Sequence, residues 1–125
     1  MNTIKRMSIG VGAGAALALS AATAWAHHGW SWYGTEEFTL TATVEEIEFG
    51  NPHDRLVVSA DGQQWTLLLS PPNRTRRAGL SEENIKVGDT ITAYGHRRES
   101  GDNYEVKTER LQVGETLYNL YPDRS

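Results

Sequence analysis

Apolar residues recur at every second position in short runs, and each run ends within about ten residues at a turn signal. Phe38, Leu40, Ala42 and Val44 alternate with Thr and Glu. After a slip at Glu45-Glu46 the alternation resumes at Ile47 and Phe49, which predicts a bulged, half-buried strand. Gly50-Asn51-Pro52-His53 breaks it, because these residue types favour turns. A second strand is predicted over 55–60 and a third over 64–70, joined by Asp61-Gly62, a strong hairpin signal. Pro71-Pro72 ends the third. Residues 73–80 predict one or two helical turns, capped by Asn73 or Thr75 and stopped at Gly79. Strands over 90–96 and 104–113 follow, with a short extra strand at 116–118. Five strands with a helix between the third and fourth is the order of an all-β, OB-like barrel. A sandwich is the competing arrangement for short, evenly spaced strands.

The segment before this pattern reads as an export signal. Lys5 and Arg6 precede a Gly/Ala-rich apolar stretch, and Ala24-Trp25-Ala26 fits an A-x-A cleavage site. The stretch is short for a membrane span, which needs about 20 strongly apolar residues. The organisation expected is a signal peptide at 1–26, an N-terminal arm at 27–36, a barrel at 37–118 and a tail at 119–125. Removing 26 of the 125 residues leaves 99, enough for one domain. The leader takes two of the twelve Lys and Arg and none of the sixteen Asp and Glu, so the remainder carries a net charge of −6. That balance argues against nucleic-acid binding and against anionic membrane surfaces, both of which recruit Lys and Arg. With no cysteine, the fold rests on its apolar core or a ligand rather than on disulfides. The expected location is the periplasm or the secreted medium.

Export also changes chemistry. A cut after Ala26 makes His27 the first residue, with His28 beside it. An α-amine has a pKa near about 8 and is a competent ligand once deprotonated. Amine and imidazole nitrogens suit copper, nickel and zinc, with copper first in intrinsic affinity. A cut after Ala24 places His27 third, where amine, two amide nitrogens and imidazole can square-coordinate copper or nickel. His53, in the first turn, and His96, at the end of the fourth strand, are candidate further ligands. In an OB barrel the loops after strands one and four lie on one side, so these two histidines are expected near each other. A backbone-bonded turn histidine is the plainer role for His53, and a surface residue the plainer one for His96. Asp54 and Glu48 flank the turn as candidates to bind metal or orient a ring. Trp30, Trp32 and Tyr33 are expected to pin the arm, Trp65 to enter the core, and Arg74, Arg76 and Arg77 to form a solvated helix face. No catalytic signature is present: no nucleophile elbow, no H-E-x-x-H helix and no phosphate-binding glycine loop.

These residues resemble a family of small secreted bacterial proteins of unknown function. The resemblance rests on His27-His28-Gly29, where the family usually has Ser third, on Asn51-Pro52-His53, and on the Gly88-Asp89 strand opener. It implies that His27, His28 and His53 are the marked positions, and it implies no activity. The function expected is periplasmic metal binding, copper foremost, without catalysis. The competing expectation is a non-catalytic OB-like module that binds an envelope protein or a small ligand.

Overall fold

The computed structural model describes residues 30–101 and 103–124. The leader and His27 and His28 therefore lie outside the described residues. One compact unit runs from Tyr33 to the C-terminus.

The strands are β1 (Phe38–Glu48), β2 (Arg55–Ala60), β3 (Gln63–Leu68), β4 (Thr90–Arg97), β5 (Glu105–Val113) and β6 (Thr116–Asn119), with a short helix α1 (Pro72–Arg77) between β3 and β4. Hydrogen bonding follows the order β3-β2-β1-β4-β5-β6. A parallel pairing of β3 with β5 at Thr66, Leu67 and Leu68 closes the first five strands into an OB-like barrel. A closed wall leaves the five strands with little free edge.

The period-two pattern explains which side is buried. Leu40, Ala42, Val44, Leu56, Val58, Trp65, Leu67, Ile91, Ala93, Val106 and Leu111 form the interior. The slip in β1 is a register shift between Val44 and Glu46, where Glu45 has no partner on β2. A second shift, between Tyr94 and Gly95, leaves Glu109 of β5 without a partner on β4. Asp61 and Gly62 both take positive φ and close the β2–β3 hairpin as expected.

The helix differs from the sequence expectation. It starts at Pro72, with Pro71 at the N-cap and no side-chain cap. Proline at the first turn costs nothing there, because its missing N–H would be unsatisfied anyway. Thr75 is buried instead of capping, and its hydroxyl lies 2.7 Å from that of Ser70. Leu69, Leu80 and Ile85 extend the core beside this helix.

The last strand and the residues after it close the outer face of β5. Leu120 N–H donates to the Glu109 carbonyl at 2.8 Å, and Leu120 is fully buried. Arg74 of α1 lies 4.9 Å over the Tyr121 ring and pairs with Asp123 at 3.2 Å. Arg74 thus ties the helix to the tail. Tyr33 fulfils its pinning role: it bridges to Arg98, is buried, and donates its hydroxyl to Glu105.

Candidate functional site

His53 sits in the β1–β2 turn, preceded by a cis Asn51–Pro52 peptide. The turn is stapled from inside. Asp54 is buried, its Oδ1 accepts the Gly50 N–H at 2.7 Å, its own N–H donates to the Ser70 carbonyl at 3.0 Å, and its carbonyl accepts from Leu69 at 2.8 Å. The Gly50 N–H bond offsets part of the cost of burying that carboxylate and ties one of its oxygens to the turn. Glu48 is likewise committed, to Arg55 at 2.5 Å.

The His53 ring is half-buried and makes no hydrogen bond among the described residues, contrary to the expected backbone contact. It lines a cavity of about 310 Å³ with Phe49, Asn51, Pro52 and Leu68. Burial lowers its pKa, the Lys107 ammonium lowers it further, and Asp54 opposes both. The ring is thus held toward its neutral form, which keeps a nitrogen lone pair for a ligand. Lys107 is itself buried on the outer wall 5.9 Å from the Tyr121 ring, and burial lowers its pKa in turn.

His96 has a different environment. It is not a plain surface residue, since only 14% of its side chain is exposed. Nδ1 lies 3.1 Å from the Glu36 carbonyl and Nε2 lies 2.6 Å from Glu109. Both ring nitrogens are engaged, so metal binding at either one would displace its present partner. Lys107, whose charge His53 feels, is the ladder partner of His96. Among the described residues, no three His, Asp or Glu side chains are placed to hold a metal.

Sequence reasoning did not single out Arg97. It continues the inward face of β4 through Ile91, Ala93 and Gly95, so strand parity alone would place it at the barrel mouth. Its guanidinium lies 4.8 Å from the Trp65 centroid, 5.4 Å from Tyr104 and 5.6 Å from Phe38. Trp65 stacks on Phe38 and meets Tyr104 edge-on, so three rings surround the cation. A second cavity, of about 420 Å³, opens beside Arg97.

No curated protein matches the chain. Residues 15–107, which include all four histidines, match a family model, and the chain belongs to that family, a family of unknown function (DUF6152).

Proposed function

We propose that this protein binds a metal ion, copper foremost, in the periplasm, in a binding, buffering or delivery role. The donors are His27 with its amine freed by export, His28 and His53. The observation that carries the reading is the His53 ring, unbonded among the described residues and held toward neutrality at a cavity wall. A histidine that serves only the turn would bond to it, as Asp54 does. His96 is not included, because both of its nitrogens already have partners.

Calorimetric titration of the natively processed protein with Cu(II) and Zn(II) tests the reading. Cu(II) should bind far more tightly than about 1 mM, and His27→Ala and His53→Ala should each weaken it by about tenfold or more. An added N-terminal tag should weaken it as well. Binding no tighter than about 1 mM, or untouched by both substitutions, would sink the proposal.

A further inference from the structure

We propose that the cavity beside Arg97 binds a small dipolar ligand of the α-amino acid class, carrying one carboxylate and one ammonium group. This proposal does not rest on the metal reading, since none of the cavity's lining residues is a proposed metal ligand.

Arg97 is held in place yet leaves its terminal groups unused. Nε donates to the Asn103 carbonyl at 2.7 Å, and the surrounding rings fix the guanidinium. Nη1 and Nη2 have no hydrogen-bond or ion-pair partner among the described residues. Its neighbours differ: Arg98 pairs with Glu105 and Arg110 with Glu37. A guanidinium fixed in this way is a preformed fork for a carboxylate.

The same cavity carries the opposite charge. Glu36 and Glu99 line it, and neither side chain has an ion pair among the described residues. Glu99 packs toward Gly34, its Cδ only 3.6 Å from where a Cβ on that glycine would stand. Arg97 and these carboxylates do not pair with each other. A plain anion at Arg97 would meet two uncompensated carboxylates, and a plain cation would meet Arg97. Only a ligand with both charges satisfies both sides, which is how like-charge contacts enforce specificity. Phe38 supplies an apolar wall, and about 420 Å³ falls in the range of small-molecule sites.

The test is calorimetry on the mature protein with a chelator present, so that metal plays no part. The probes are L-phenylalanine, 3-phenylpropionate, which keeps only the carboxylate, and phenethylamine, which keeps only the ammonium. L-Phenylalanine should bind with Kd of about 1 mM or tighter, and each singly charged analogue about tenfold more weakly or worse. Glu99 is exposed, so Glu99→Gln should fold normally. That change should weaken L-phenylalanine about tenfold and leave 3-phenylpropionate unweakened. No binding of L-phenylalanine up to about 10 mM would overturn the proposal, as would equal binding of all three probes or no effect of Glu99→Gln.

Discussion

At Gly95, β4 and β5 come so close that a side chain has no room. A Cβ there would lie 2.0 Å from the Lys107 carbonyl oxygen, inside the bulged ladder. Backbone cannot move aside as a flexible side chain can. Gly95→Ala should therefore cost more than about 3 kcal/mol, measured from urea midpoints, and a loss below about 1 kcal/mol would contradict the close approach. His53 makes a pH-dependent contribution in the metal-free protein. Its folded pKa lies below the ordinary 6.5, so the unfolded chain takes up its proton first as pH falls. Stability should thus decline as pH drops through about 6.5 toward the folded value, and His53→Gln should flatten that decline. A His53 resonance titrating at or above 6.5 by NMR would rule this out. The sequence marked His53 by its turn, yet its freedom from hydrogen bonds depends on Asp54 taking the turn's backbone contact, a choice no spacing reveals.

The elements were largely legible because each repeats a short-range pattern. The second strand, the Asp61-Gly62 hairpin and the bulge at Glu45 follow from alternation and turn chemistry alone. The α1 caps did not follow. Six residues are too few to sustain a helix by propensity, so tertiary contacts decide its ends. Thr75 serves the interior, where it meets Ser70. Thr75→Val should leave the Ser70 hydroxyl without that contact and cost about 1–3 kcal/mol by chemical denaturation. The segment after β6 is the other surprise, since only a tail was expected beyond Tyr118. Leu120 is instead as buried as the barrel core, and Leu120→Ala should cost about 2–5 kcal/mol. An unchanged midpoint would show that the tail does not seal β5.

For the molecule as a whole, the order of five strands and a helix was enough to favour a barrel over a sandwich. The parallel β3–β5 contact that closes it joins segments far apart in the chain, and no local pattern encodes it. The Arg97 mouth was hidden for the same reason, because Phe38, Trp65, Arg97 and Tyr104 are contributed by separate strands and a loop. The His96 contacts bear on something else, the chain's path. Glu36, before the first strand, and Arg124, after the last, both converge on one histidine–carboxylate pair: Glu36 through its carbonyl, Arg124 through Glu109 at 3.6 Å. The two ends of the barrel thus come close together in space. Splicing Arg124 to Glu36 with a linker of about five residues and reopening the chain between Asp61 and Gly62 should give a circular permutant that still folds cooperatively.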